Sequence, residues 1–338
     1  MKNEYGPSVL HALLSSRSRF FQATRSFFIA NNYLEVDTPV LAPFCIPEPS
    51  IELFETQKLV LKFPKGKLYL VSSPELWMKR LLALGIGNQF QISKCFRNNE
   101  VPGTIHLPEF TMLEWYAVHK NYTDNIGFTE DLILSVLHEM DIPGIIQYQG
   151  NAIDFSVPWN IMTMQEACSE YSGIDLSKLQ KPSDFYDVLS AKHIEYHRDD
   201  TWEELFHRLF LLEVEPSLPA GKPLFLTDYP KNIKTLAKEA SCCYSERWEL
   251  YIGGIEIANC YTEAAVPGQI DFFFEEESKR KAQQCIVIPP SDNELQELMR
   301  KPGFPDCSGV ALGMDRLLMI LLDKKHISDV APFSSFLL

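Results

Sequence analysis

The sequence predicts an α+β fold, an antiparallel β-sheet flanked by helices, and three observations carry that expectation. Strand-like runs are interrupted by helix-like runs without the regular βαβ alternation of a parallel sheet. Strand pairs are joined by local turns, of which Gly253-Gly254, between Trp248 to Ile252 and Ile255 to Tyr261, is the strongest hairpin signal. No repeat, low-complexity tract or Gly/Ser linker divides the 338 residues, so 1–338 reads as a single domain.

Leu10, Leu13, Leu14, Phe20, Phe21, Phe27 and Phe28 recur at helical spacing from Ser8 until Asn31-Asn32 stops the helix. Leu34, Val36 and Val40 follow in a stretch that Pro39 keeps extended. Leu59 to Phe63 and Leu68 to Val71, on either side of Pro64-Lys65-Gly66-Lys67, form a predicted hairpin. Ser73-Pro74-Glu75 starts a helix, with Ser73 as cap and Pro74 at the first position, and Gly85 ends it. Gln89 to Phe96 and Phe110 to Val118 are two strands. The polar connection between them, Arg97 to Glu109, far exceeds an ordinary hairpin loop, and such loops commonly carry function.

The middle reads as helical, with Asp124 to Met140, Met164 to Tyr171, Asp184 to Ala191 and Thr201 to Leu212 as an insertion or outer layer over about 122–215. Strands resume with Pro223 to Thr227 and the Gly-Gly hairpin. A charged helix, Ile270 to Gln284, follows, with the EEESKRK run at 275–281 as its exposed face. The chain closes with a strand, Gly309 to Leu312, and an apolar helix, Gly313 to Leu322.

No run of about 18 apolar residues is present and the first residues hold no signal-peptide core, so a soluble, cytoplasmic protein with no membrane partner is expected. Eight cysteines without a CxxC pair read as reduced thiols. The net charge of −14 speaks against a broad phosphate-binding face for nucleic acid. Residues 1–120 nevertheless carry 13 Lys+Arg against 10 Asp+Glu, so an anionic partner is expected to dock there. His193 and His197, at i and i+4, with His207, form a weaker metal-site pattern that lacks HExxH. GxxxxGK[ST] is also absent, so a nucleotide would bind without a P-loop.

Residues 96–116, FRNNEVPGTIHLPEFTMLEWY, resemble motif 2 of the class II aminoacyl-tRNA synthetases, with an ending similar to the lysyl branch. Residues 309–319, GVALGMDRLLM, resemble motif 3, and Leu34 to Pro39 resembles the dimer-forming motif 1. Ser72 to Glu75 and Gly254 to Asn259 match further segments in the family's order. The resemblance implies a class II synthetase-like catalytic domain and a homodimer. With motif 1 falling within the first few dozen residues, no anticodon-binding OB domain is expected. The likeness is therefore to the truncated lysyl-tRNA synthetase paralogues, which attach a lysine-type amino acid, here expected to be (R)-β-lysine, to a lysine of translation elongation factor P. Ala311 agrees with that branch, and no tRNA substrate is expected.

The implied reaction is ATP-dependent ligation that forms a C–N bond through an aminoacyl-adenylate and releases AMP and pyrophosphate. Arg97 would bridge the α-phosphate and the carboxylate, and Arg316 would bind the far phosphate and cover the adenine opposite Phe110; these two arginines are the implied catalytic pair. Asn98, Asn99, Glu100, His106, Ile257 and Gly313 complete the implied ATP site, and Glu256 and Glu263 match the acids that hold Mg²⁺. Ser73, Pro74, Glu75, Glu114, Tyr116, Asn259, Glu263 and Ala311 match the amino-acid site. The sequence departs from the family at Asn99, Ile105, Leu107 and Cys260. Leu107 stands at a substrate-contacting position, so a ligase with an altered amino-acid substrate is one alternative and a non-catalytic, synthetase-like regulator another.

Overall fold

Helix α1 (Pro7–Ala30) begins with proline at its first turn and stops where Asn32 takes φ 62. β1 (Leu34–Glu35) leads to β2 (Leu41–Ala42), β3 (Glu55–Gln57) and β4 (Lys67–Leu70), the last three forming a small sheet in the order β2-β4-β3. The computed structural model describes residues 6–57, 66–100, 103–240, 243–264 and 266–334. The expected strand Leu59 to Phe63 lies outside them, and the described partner of β4 is β3. In α2 (Glu75–Ala83) the N-cap is Pro74 rather than the expected Ser73, so the proline lies one residue before the helix; Ser73 Oγ still accepts from the Glu75 amide at 3.1 Å.

β5 (Gln89–Phe96) and β6 (Glu109–Val118) pair antiparallel around the long loop, as expected. α3 (Asp124–Glu139) packs against α1. The middle segment then departs from a purely helical reading. It contains the hairpin β7 (Ile145–Tyr148) and β8 (Asn151–Asp154), and β9 (Asn160–Thr163), four-residue strands too short for periodicity to reveal. α4 (Met164–Ala167), α5 (Tyr186–Ala191) and α6 (Trp202–Leu209) form a helical layer with its own core around Phe185, Leu205, Phe206 and Val214. His193 and His197 fall beyond the end of α5, where helical spacing does not apply.

β10 (Leu224–Pro230), β11 (Tyr244–Ile252) and β12 (Ile255–Thr262) follow, with Gly253 and Gly254 at φ 60 and 78 in the predicted turn. α7 (Pro267–Gln284), α8 (Asn293–Arg300), β13 (Cys307–Gly313) and α9 (Met314–Leu321) complete the chain. In α7 the charged run is not uniformly exposed: Glu277 and Lys281 are buried.

The main sheet has eight strands in the order β1-β5-β6-β13-β12-β11-β10-β9. Its six inner strands are antiparallel, as predicted, while β1 and β9 pair parallel at the edges because each is joined to its neighbour by a long connection. Side chains alternate across this sheet. Trp115, Trp248, Leu250, Cys260 and Leu312 point to the core formed with α1, α3 and α9. The opposite face carries the polar residues considered next.

Candidate functional site

The front face of the inner strands collects Phe110, Met112, Glu114 and Tyr116 from β6, Gly309, Ala311 and Gly313 from β13, and Asn259 and Tyr261 from β12. The register between β11 and β12 shifts after Leu250, which pairs with Ala258, to Tyr251, which pairs with Glu256. Ile257 is therefore the extra residue of a bulge. Without it Glu256 would point into the core; with it Glu256 joins Glu249 and Tyr251 on the front face.

Two cavities open on this face. The larger, about 280 Å³, is lined by Glu48, Ser73, Glu75, Glu114, Tyr116 and Arg247, with α6 and α7 at its margin. The smaller, about 150 Å³, is lined by Glu100, His106, Phe110, Glu256, Gly313 and Arg316. Arg97, Met112, Asn259 and Ala311 line both, so the cavities meet at the Arg97 guanidinium.

The larger cavity has an acid-rich floor. Tyr116 donates to Glu114 Oε1 at 2.9 Å, whereas Glu114 Oε2 is buried without a hydrogen-bond partner. Burial, then the Glu75 carboxylate, hold the Glu114 carboxyl well above its usual range. Burial and Glu75 also push Glu48 up to about 7. Crowded carboxylates with an uncommitted oxygen form a site that one organic ammonium would relieve.

Glu75 and Glu263 are already engaged by a buried lysine that sequence reasoning did not single out. Lys79 Nζ lies 2.6 Å from Glu75 Oε1 and 2.8 Å from Glu263 Oε2, and Tyr261 donates to Glu75 Oε1 at 2.6 Å. Burial works against the Lys79 charge, but the two carboxylates outweigh it and keep the ammonium protonated. Glu263 lines neither cavity and stands behind this lysine. Pro74, also outside both linings, is buried at the start of α2.

Tyr116 can lie flat because its neighbour on β13 is Gly309, where a Cβ would sit 2.6 Å from Tyr116 Cε1. Gly309→Ala should displace the ring, lower stability by about 1–3 kcal/mol and weaken amino-acid binding. A thermal melt with and without ligand checks both effects.

In the smaller cavity Arg316 is fixed by four contacts, one of them an ion pair with Glu256 Oε2 at 3.4 Å. It donates to the Ile105 carbonyl at 3.2 Å, to the Glu256 carbonyl at 2.9 Å, and meets His106 Nε2 at 2.8 Å. Burial, then the Arg316 charge, lower the His106 pKa, which suits an imidazole accepting from Arg316. The Arg97 guanidinium lies 5.2 Å from the Phe110 ring centroid and its Nη1 is 3.6 Å from Glu100. A Cβ on Gly313 would meet nothing nearer than 3.7 Å, so what it would occupy is cavity space beside Arg316. Beneath, buried Asp315 accepts from Arg17 at 2.6 Å and from the Thr111 amide at 2.6 Å, locking α1, β6 and α9 together.

Several placements differ from the sequence reading. Asn98 and Asn99 turn away from the cavity: the Asn98 amide donates to the Glu52 carbonyl at 2.8 Å, and Asn99 Nδ2 donates to the Ser50 carbonyl at 3.3 Å. Leu107 and Ile105 line the smaller cavity, not the amino-acid one, and Cys260 is buried on the core side. Glu256 and Glu263 are not brought together, since seven residues of extended chain separate them by about 23 Å. The acid beside Glu256 is Glu249, one pair removed across the hairpin at about 7 Å between Cβ atoms. Burial, then Glu249, raise the Glu256 pKa, but Glu249 lines neither cavity and its oxygens accept from Arg247 at 2.6 Å and Tyr251 at 3.0 Å, so of the two only Glu256 is placed to face a hard divalent cation. Among the described residues no cluster of three such ligands is present.

A family model described as tRNA synthetases class II (D, K and N) matches residues 7–336. An elongation factor P–(R)-β-lysine ligase of Salmonella arizonae is 33% identical over 336 residues, covering 97% of this chain and 96% of the relative. One from Avibacterium paragallinarum is 34% identical over 342 residues, with 98% of each covered. A lysine–tRNA ligase of Pelotomaculum thermopropionicum is 34% identical over 329 residues, 95% of this chain but 63% of the relative. With its mixed sheet, paired cavities and arginine at their junction, the chain belongs to the class II tRNA synthetase family (D, K and N).

Proposed function

We propose that the chain activates a lysine-type amino acid, (R)-β-lysine foremost, with ATP as an aminoacyl-adenylate, and transfers it to a lysine side chain of translation elongation factor P. The carrying observation is that Arg97 lines both an acid-rich cavity and one walled by Phe110, His106 and Arg316. The near-full-length likeness to ligases named for that reaction supports the acceptor.

The substrate ammonium would sit against Glu114 Oε2, with its carboxylate directed to the junction. There the planar Arg97 guanidinium can hold that carboxylate and the α-phosphate together, which supplies orientation and offsets charge as the oxygen attacks phosphorus. Arg316, already fixed by His106 and Glu256, faces the outer phosphates, and Phe110 offers its ring to the base. Glu256, which lines the smaller cavity beside Arg316, would help hold Mg²⁺, which when bound neutralises phosphate charge. In the second step the acceptor amine attacks the adenylate carbonyl, and AMP leaves with the C–O electron pair.

The net charge of −14 supports a protein acceptor over tRNA. Residues 1–338 act in this reading as one catalytic domain. Exposed Leu14 and Ile29, which share one side of α1, and Leu34 on the adjoining β1 support a homodimer through this face. Light scattering should give about twice the chain mass, and Leu14→Glu with Ile29→Glu should halve it. Among the described residues no helix is long and apolar enough to cross a membrane.

Pyrophosphate exchange with α-lysine, both enantiomers of β-lysine, ornithine and no amino acid tests the reaction. Exchange dependent on one amine is expected. No exchange with any of them would sink the proposal.

A further inference from the structure

The segment 48–52 flanks the larger cavity from outside the sheet, with Glu48, Pro49 and Ser50 in its lining. Glu48, between Pro47 and Pro49, lines the amino-acid cavity, and among the described residues no donor is bonded to its carboxylate. Its carbonyl accepts from Lys281 Nζ at 3.0 Å, and the Ile51 carbonyl accepts from the same nitrogen at 2.6 Å. Lys281 is 3% exposed, so a buried ammonium is committed to two backbone carbonyls of one short loop. Further along, Glu52 accepts from the Ile286 and Val287 amides at 2.8 and 2.7 Å.

The other side of the segment is tied to the residues that follow Arg97. The Asn98 amide donates to the Glu52 carbonyl at 2.8 Å, the Glu52 amide to Asn99 Oδ1 at 3.3 Å, and Asn99 Nδ2 to the Ser50 carbonyl at 3.3 Å. The chain that places Arg97 at the junction thus also grips the loop that carries Glu48.

We infer that Glu48 is a further carboxylate for the substrate ammonium, and that Lys281 and Asn99 are positioning residues that hold it over the cavity. The inference rests on the reading that a cationic amino acid occupies this cavity. Glu48 touches the ligand; Lys281 and Asn99 act only through the loop backbone.

The test is a double-mutant cycle read as Michaelis constants in pyrophosphate exchange. Glu48→Gln should raise the KM for the amino acid about tenfold and leave that for ATP within about twofold. Lys281→Met should do the same, and Glu48→Gln combined with Lys281→Met should be no worse than the poorer single variant. Additive losses, or equal losses for ATP and amino acid, would overturn the inference. If Lys281→Met fails to fold, Asn99→Ala replaces it in the cycle, with about a threefold effect expected and the same criterion. If the wild-type protein shows no exchange, the adenylation reading fails on its own. Calorimetric binding of lysine to the same variants then decides, and affinity unchanged by Glu48→Gln overturns the inference.

Discussion

Arg97→Ala should lower adenylate formation by about three orders of magnitude while the protein stays folded. Among the described residues Arg97 is the one charged residue that lines both cavities, so its loss removes the contact that aligns the two reactants as well as the charge that stabilises the pentavalent phosphorus. Removing one such donor from a water-poor site costs about 10²- to 10³-fold, and the lost alignment adds to that. Arg97→Lys should recover little, because an ammonium cannot make two parallel hydrogen bonds to a carboxylate or phosphate. Single-turnover adenylate formation at saturating ATP and amino acid is the measurement. Rates within tenfold of wild type would exclude this role.

Glu114→Gln should raise the KM for the cationic amino acid about 100-fold and leave the KM for ATP nearly unchanged. The substitution retains an oxygen for Tyr116 but removes the negative charge behind the unpartnered Oε2. A buried ammonium that loses its counter-charge costs about 2–5 kcal/mol. The same carboxylates give a pH signature. Glu48 is pushed up to about 7, so it is largely protonated below that pH and ionised above it. An ammonium prefers the ionised form, so affinity should fall as pH is lowered from 8 to 6, and binding near pH 7 should release protons. Calorimetry in buffers of different ionisation enthalpy reads that release.

Stability should show the opposite slope in the ligand-free protein. Glu48 and Glu263 both hold their protons at about 7 when folded, against an ordinary value of 4.5. Their contribution is complete below the ordinary value and is lost as pH rises through about 7. The ligand-free melting temperature should therefore drop between about pH 5 and 7 on their account and level off above, and the cationic amino acid should restore part of it.

Much of the frame was legible because it is encoded locally. The helix Pro7–Ala30, the strand pair on either side of the Arg97 loop and the Gly253-Gly254 hairpin rest on period, caps and turn chemistry, which act over a few residues. The motifs also identified Arg97, Glu114, Tyr116, Asn259, Ala311 and Arg316, which the fold brings to one face. Alternation explains why: residues at i and i+2 of a strand share a face, whatever the rest of the chain does.

Pairings between distant segments were decided only by the tertiary structure. The bulge at Ile257 depends on how β12 registers against β11, and it alone turns Glu256 to the front face beside Glu249 and Tyr251. The burial of Lys79 between Glu75 and Glu263 brings α2 against the end of β12, and nothing in PELWMKR marks that lysine as an internal cation. Asn98 and Asn99 were read toward the nucleotide because their motif lies there, yet they bond to a loop nearly fifty residues earlier. Sequence by itself determined the longer strands and helices and, where no bulge intervenes, which side chains share a face; the four-residue strands β7, β8 and β9 emerge only from their pairing. Charge balance, counter-ion choice and register belong to three-dimensional packing, because each depends on which remote backbone or carboxylate comes within a few ångströms.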